Sequence, residues 1–124
     1  MADLKLQGMR LLINESDDSF RFYRDAIGLS AQSGREGEEF ARLIDGSGIN
    51  VELVTPQGQS SQYHGADRPM LLFTTPNVHD ALRALREWNV EVVQEPVDIT
   101  PLGMRIARLR DPAGNLIELR QNLL

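Results

Sequence analysis

The first half of the chain predicts a strand, a helix and three further strands. Apolar and polar residues alternate over residues 4–13, as they do in a strand. Ser16, Asp17 and Asp18 then offer N-cap oxygens and a negative first turn to a helix that ends at Gly28, a residue that favours helix ends. The apolar residues at helical spacing in this segment are Phe20, Tyr23, Ala26 and Ile27. Three short strands are predicted at residues 29–33, 38–45 and 49–54.

The second half repeats this order of elements. Residues 70–74 predict a strand, and Pro76 and Asn77 begin a helix. The apolar stripe of this helix contains Val78, Ala81, Leu82, Leu85 and Trp88. Strands are then predicted at residues 90–93, 103–110 and 115–119.

A polar segment separates the two halves. Residues 55–68 have the composition of a linker. We therefore predict a first β-α-β-β-β module at residues 1–54 and a second at residues 69–124, together forming one structural domain. The second module carries extra residues at 94–102, which predict a loop with two prolines. This loop is either a lid over a cavity or a surface insertion, and the insertion is favoured because loops lengthen at little cost.

A repeated hairpin shows that the two halves are a tandem duplication. Residues 40–53 and 106–119 share Ala, Arg, Leu, Asp, Gly, Glu and Leu in step. The repeat places one carboxylate, Glu52 or Glu118, within each otherwise apolar final strand. If the turns are two-residue loops, Asp45 pairs with Gly48 and the glutamates lie opposite Ala41 and Ala107. Each carboxylate would then have space above it, although an ordinary solvent-facing position explains the repeat equally well.

Composition excludes several classes of function. The chain has 124 residues, 41% hydrophobic and 25% charged, which is typical of a soluble globular protein. A net charge of −5 with scattered basic residues argues against nucleic acid as a partner. No apolar run is long enough to span a bilayer, so we expect no membrane partner. The absence of cysteine excludes thiolate chemistry and fits a cytoplasmic protein.

These modules resemble the vicinal oxygen chelate superfamily, which includes glyoxalase I, the bleomycin resistance proteins and the extradiol dioxygenases. The resemblance rests on the helix end at residues 22–29, which reads Phe-Tyr-Arg-Asp-Ala-Ile-Gly-Leu, and on the hairpin at residues 110–119. It implies an α+β fold in which two tandem β-α-β-β-β modules form curved mixed sheets around a cavity. It also implies a homodimer.

The resemblance implies a metal site of which only half is present. Metal-dependent members take one ligand from the first strand of each module and a glutamate from the last, and Glu52 and Glu118 match the glutamates. The first-strand positions fall on Gly8 and on Pro69 or Met70, none of which is a ligand for a divalent metal. His64 in the linker and His79 in the second helix do not obviously replace them. We therefore predict no metal and no other cofactor.

The first functional hypothesis is a metal-free small-molecule binder that resembles the bleomycin resistance branch. Its expected ligand-binding residues are Arg10, Asn50, Glu52, Met70 and Glu118, and two carboxylates favour a cationic or antibiotic-like ligand. Two aromatic residues that could stack on a ligand, Tyr23 and Trp88, are expected in the core because of their helical phase.

Two alternatives remain open from the sequence. One is a glyoxalase-type lyase or isomerase, in which Glu52 or Glu118 is the catalytic base beside a divalent metal. The other is a non-catalytic module that serves dimerisation or regulation.

Overall fold

The chain forms two compact units. A computed structural model describes residues 2–3, 6–13, 18–35, 38–55 and 69–124. Unit 1 comprises Met1–Asp67 and unit 2 comprises Arg68–Leu124. The predicted helix start at Ser16 and Asp17, most of the predicted linker and His64 lie outside the described residues.

The described residues of unit 1 form one helix and a four-stranded mixed sheet. The helix, α1, is α-helical over Asp18–Arg21 and π-helical over Phe22–Ile27. The strands are β1 (Gly8–Leu12), β2 (Ser30–Ser33), β3 (Phe40–Ile44) and β4 (Asn50–Val54). Their order in the sheet is β1-β4-β3-β2, with β1 parallel to β4 and the other neighbours antiparallel.

Unit 2 repeats this arrangement. Its helix is α2 (Val78–Leu85), and a 3-10 turn covers Thr100–Leu102. The strands are β5 (Met70–Thr74), β6 (Glu91–Ile99), β7 (Met104–Arg110) and β8 (Leu116–Asn122). The sheet order is β5-β8-β7-β6, with β5 parallel to β8 and the other neighbours antiparallel. The predicted α+β fold of two tandem β-α-β-β-β modules is confirmed.

The π-helical winding of α1 changes which side chains enter the core. The sequence predicts burial of Phe20 and Tyr23, and both are buried. Phe22 is also fully buried and meets Tyr23 edge to face, with 5.1 Å between ring centroids. A π-helix has a wider turn than an α-helix, so neighbouring residues can both face inward. Ala26 and Ile27, predicted on the same stripe, are only half-buried.

The helix of unit 2 begins where predicted but ends before Trp88. The Asn77 side chain accepts a hydrogen bond from the Asp80 N–H at 3.0 Å, which caps the first turn. Val78, Leu82 and Leu85 are buried, and α2 contacts β7 and β8. Trp88 follows the helix in a turn and is half-buried, so its predicted place in the core is only partly correct.

Neither helix in the described ranges is long and apolar enough to cross a membrane.

The extra residues of unit 2 lengthen a strand, so the predicted loop at 94–102 is wrong. Residues up to Ile99 belong to β6 and pair with β7, and only Thr100–Leu102 form a turn. The pairing register shifts between Gln94 and Val97, where a bulge takes up Pro96 on the edge strand. An edge strand tolerates proline because the missing N–H is not needed by a neighbour.

Both hairpins turn through three residues, so the predicted two-residue loops are wrong. The Asp45 N–H donates to the Ile49 carbonyl at 3.1 Å, and Asp111 and Asn115 make the same contact at 2.8 Å. Gly48 has φ of 94°, a left-handed conformation that completes a type I turn with a bulge. The Asp45 carboxylate also accepts hydrogen bonds from backbone N–H groups of the turn, and that from Ile49 contributes most to lowering its pKa.

The extra turn residue shifts β3 by one position along β4. Glu52 therefore lies opposite Arg42, whereas Ala41 lies opposite Leu53. In unit 2 the same shift places Arg108 opposite Glu118. The predicted alanine partners of both glutamates are wrong, because Ala41 and Ala107 point to the buried side of their sheets.

Each sheet consequently has one apolar face and one face that carries a glutamate, which we call the glutamate face. The buried residues on the apolar face of unit 1 include Leu11, Ala41, Leu43, Val51 and Leu53. Those of unit 2 include Leu71, Ala107, Leu109, Ile117 and Leu119. Alternation along the strands leaves the glutamate on the opposite face in each unit.

Gly8 allows β1 to approach β4 closely. A Cβ atom at position 8 would overlap the carbonyl oxygen of Asn50 and would lie 2.8 Å from its carbonyl carbon. Backbone atoms of a paired strand cannot move aside as the end of a flexible side chain can. Position 8 therefore excludes every side chain unless the two strands separate.

We expect Gly8→Ala to lower the free energy of unfolding by about 1–3 kcal/mol, the usual cost of overpacking. Gly46→Ala is the matched control, because a Cβ atom there meets nothing within 4 Å. Its effect should be within about 0.5 kcal/mol of zero. Urea denaturation of the two variants measures the difference, and equal stabilities would contradict the proposed strand contact.

Candidate functional site

Glu52 lies between two arginines on the glutamate face of unit 1. Arg10 on β1 and Arg42 on β3 are its direct cross-strand neighbours. Arg10 donates from Nε and Nη2 to Oε1 at 3.0 and 2.8 Å. Arg42 donates from Nε and Nη2 to Oε2 at 3.1 and 2.7 Å. Both carboxylate oxygens are therefore engaged by charge-assisted hydrogen bonds.

Glu118 has the same kind of environment in unit 2. Arg108 on β7 donates from Nε to Oε1 at 2.8 Å, and Arg120 on β8 donates from Nε to Oε2 at 2.6 Å. The Glu118 side chain is only 4% exposed, compared with 16% for Glu52. Each glutamate thus has two guanidinium partners, and each group of three side chains carries one net positive charge.

The second arginine comes from a different place in each unit. Leu72 occupies in unit 2 the register position of Arg10, opposite the glutamate. Arg120 lies two residues beyond Glu118 on the same strand, where unit 1 has Val54. The exchange leaves the β1 edge of unit 1 polar and the β5 edge of unit 2 apolar.

The arginines decide the charge state of both glutamates. Burial acts to raise the pKa of each carboxyl group, but hydrogen bonds from the two arginines outweigh it. The pKa of Glu52 and that of Glu118 are both below the ordinary value of 4.5. A carboxylate with a lowered pKa is a weaker base, which disfavours either glutamate as a proton acceptor.

The glutamate face of unit 1 borders a cavity of about 430 Å³. Three predicted site residues, Arg10, Asn50 and Glu52, line it together with Gln7, Gly8 and Met9. The Asn50 side-chain oxygen is buried and accepts no hydrogen bond from the described part of the chain. The structure therefore brings the predicted polar residues of unit 1 together in one place.

Unit 2 has a larger cavity of about 580 Å³, and the residues that line it were not among those predicted from the sequence. Its wall combines residues of β5 and β8, residues that follow these two strands, and apolar residues at the turn between β6 and β7. They are Thr74, Thr75, Pro76, Leu102, Met104, Arg120, Asn122 and Leu124. The predicted site residue Glu118 does not itself line the cavity, but it accepts a hydrogen bond from Arg120, which does. Met70 is exposed on the same face but does not line the cavity.

The predicted first-strand positions are now fixed by strand register. Gly8 lies opposite Asn50 and Met70 lies opposite Leu116, so Met70 rather than Pro69 is the counterpart of Gly8. Gly8 also excludes a side chain by its contact with β4. A ligand such as histidine therefore cannot be accommodated at position 8 without separating the two strands.

The described residues do not fit the metal site that the resemblance implies. Both oxygens of each glutamate are bound to arginines, and a divalent cation placed there would be repelled by two guanidinium groups. Within the described ranges no group of three or more His, Asp or Glu side chains could hold a metal ion. His79 is exposed on α2, whereas both glutamates lie on strands.

Sequence reasoning missed Arg42, Arg108 and Arg120. Arg42 and Arg108 occupy the same position of the repeat, so the repeat itself contained them. The decisive signal was the glycine at the fourth position of Asp-x-x-Gly, since a left-handed glycine there is typical of a three-residue loop. Arg120 has no counterpart in the repeat and could be found only from the structure.

Comparisons with known proteins agree with the fold and the repeated motifs. The chain belongs to the Glyoxalase/Bleomycin resistance protein/Dioxygenase superfamily, whose family model matches residues 5–119. It is 30% identical to the protein YraH of Bacillus subtilis (strain 168), over 97% of this chain and 100% of that protein. The resemblance predicted from the sequence motifs is confirmed.

Solved structures of similar proteins support the same fold. TnmS3, an antibiotic binding protein from Streptomyces sp. CB03234, has a TM-score of 0.74 and 26% identity, with 98% of both chains covered. Virulence protein STM3117 from Salmonella typhimurium has a TM-score of 0.72 and 23% identity, covering 98% of this chain and 99% of that chain. The second likeness concerns the fold alone.

We expect Glu118→Gln to lower the free energy of unfolding by about 1–3 kcal/mol, because two guanidinium groups lose their counterion. Glu95→Gln is the control, since Glu95 is 65% exposed and pairs with Arg86 at the surface. Its cost should be about 0–1 kcal/mol. Chemical denaturation at neutral pH measures both, and a smaller loss in the Glu118 variant than in the control would refute this account.

The lowered pKa values predict how stability depends on pH. Above about pH 4.5, the ordinary value for both glutamates, their ion pairs contribute fully to stability. As the pH falls from there through the lower folded-state pKa values, this contribution is lost. A variant carrying Glu52→Gln and Glu118→Gln should therefore lose less stability between about pH 7 and about pH 3 than the unmodified protein. Urea denaturation across this pH range measures the difference. If the stability of the variant and that of the unmodified protein fall in parallel, the two ion-pair groups make no such contribution.

Proposed function

We propose that the chain is a small-molecule binding protein that works without a metal. The observation that carries this proposal is the engagement of both oxygens of Glu52 and of Glu118 by arginines. These glutamates cannot bind a metal without breaking four arginine–glutamate ion pairs. What the glutamate faces offer instead is a pair of cavities with mixed polar and apolar walls.

The sizes of the cavities support binding of an organic molecule. Volumes of about 430 and 580 Å³ lie within the range of about 300–1,000 Å³ that is usual for small-molecule sites. The side-chain oxygen of Asn50, a residue that lines the cavity in unit 1, accepts no hydrogen bond from the described residues and is a candidate acceptor for a ligand. The likeness to TnmS3, an antibiotic binding protein, also supports a binding function.

The charge of the glutamate faces alters the expected ligand. Two unpaired carboxylates would have favoured a cation, but each glutamate is outnumbered by two arginines. A ligand therefore meets guanidinium groups, which favour neutral acceptors and anions over cations. The proposal keeps an antibiotic-like organic ligand and abandons the preference for a positive charge.

A glyoxalase-type lyase or isomerase is less well supported. That chemistry needs a strong carboxylate base next to an electrophile that stabilises an enediolate. The lowered pKa values of both glutamates oppose the first requirement, and the arginine contacts oppose a metal as the second.

Homodimer formation and a cytoplasmic location remain predictions. Light scattering coupled to size-exclusion chromatography measures the oligomeric state.

Ligand screening in the presence and absence of a chelator tests the proposal. A panel of neutral and anionic aromatic compounds is screened by ligand-observed NMR, with and without EDTA, and bound metal is measured by mass spectrometry. We expect binding that EDTA does not change and metal well below one equivalent. Stoichiometric metal, or binding that EDTA abolishes, would overturn metal-independent binding, and a panel without any binder would overturn the binding function itself.

A further inference from the structure

Arg120 in the cavity of unit 2 is a cation placed beside an apolar wall. Its Nε donates to Glu118 at 2.6 Å, and its side chain is 35% exposed. Among the described residues, its Nη1 and Nη2 donate no hydrogen bond, although a guanidinium has five N–H donors in a rigid fork. The outer edge of this guanidinium is therefore available within the cavity wall.

The surroundings of Arg120 separate polar from apolar groups. Thr74, Thr75 and Asn122 line the cavity with hydroxyl and amide groups, while Leu102 and Met104 line it with hydrocarbon and sulfur. Leu102 is 62% exposed, so its hydrocarbon is accessible to a molecule that enters the cavity. A molecule that fills this space meets a cation on one side and an apolar surface on the other.

We propose that this cavity binds an apolar carboxylic acid, with the carboxylate on Arg120 and the hydrocarbon or aromatic body against Leu102 and Met104. Planar guanidinium and planar carboxylate groups match in a bidentate pair, which is the strongest contact that this wall can offer. The inference names the ligand class of the proposed binding function and rests on that function.

Glu118 is a positioning residue in this arrangement. It accepts the hydrogen bond from Nε of Arg120 and so fixes that side of the guanidinium. Arg108 donates to the other oxygen of Glu118. Glu118 is therefore not a free anion that would repel the carboxylate of an incoming acid. Unit 1 has Val54 at the position of Arg120, and its cavity therefore lacks this guanidinium.

Matched acid, amide and amine probes test the ligand class in the unmodified protein. The probes are 2-naphthoate, 2-naphthamide and 2-naphthylmethylamine, together with octanoate, octanamide and octylamine. Binding is followed by the methyl resonance of Met104 in protein with labelled methionine. We expect each acid to bind at least about tenfold more tightly than its amide or amine, the effect of one charge-assisted pair.

Variants of Arg120 assign the effect to that side chain. Arg120→Gln should weaken acid binding about tenfold while changing amide binding less than about twofold, and Arg120→Lys should restore part of the loss. Arg35→Leu removes the same charge from a side chain that is 87% exposed and should leave binding of all six probes unchanged. Thermal denaturation checks that each variant is folded, and the comparison of probes on the unmodified protein does not depend on any variant.

Three outcomes separate this inference from the proposed function. Amides or amines that bind at Met104 as tightly as the acids would overturn the inference and leave the binding function standing. Acid binding that survives Arg120→Gln, or that Arg35→Leu weakens equally, would also overturn it. If neither these probes nor the aromatic panel binds at all, the proposed function falls as well.

Discussion

A carboxylate on the face of a sheet needs a counterion as soon as its neighbours shield it from water, and two arginines supply one in each unit. Glu118 shows how strong this constraint is, because its side chain is almost completely buried. Left unpaired, such a group would take up a proton or destabilise the fold. The three side chains must therefore be brought together by strand register. The turn geometry sets the strand register, and the register in turn decides whether each glutamate meets its arginines.

The two units meet that requirement differently, and the difference gives each face its own chemistry. Unit 1 takes its second arginine from the edge strand β1, which makes the edge next to the glutamate polar. Unit 2 takes it from β8 and leaves Leu72 on the edge strand, half-exposed. A duplicated scaffold can thus keep one electrostatic arrangement while the cavities of its two copies differ in their lining residues.

The sequence predicted the elements well because their signals are local. Helical spacing of apolar residues located both helices, and the repeated hairpin located the two final strands and their glutamates. It failed where the outcome depended on one residue of geometry. The π-helical turn at Phe22 and the bulge near Pro96 are examples, since each changes which side chains face inward without changing the apolar pattern.

The candidate site shows the same limit. Arg10, Asn50 and Glu52 line one cavity, because strand parity within β1 and β4 does not depend on the turn, whereas their role in binding stays a prediction. The partner on β3 was wrong by one residue, which exchanged a small neutral alanine for a charged arginine. That single step reversed the expected charge of the ligand. Arg120 was beyond prediction because its role depends on how its side chain folds back along β8 to Glu118.

The three-residue turn has one more consequence, for how this hairpin can be inherited. Its register is set inside the turn, by Asp45 and Gly48 in one copy and Asp111 and Gly114 in the other. Each hairpin therefore brings its own arginine opposite its glutamate, Arg42 in one copy and Arg108 in the other. The second arginine lies outside the shared pattern and comes from β1 in unit 1 and from residue 120 in unit 2. The duplication therefore copied each carboxylate together with one of its two arginines, and each unit supplies the other from its own sequence.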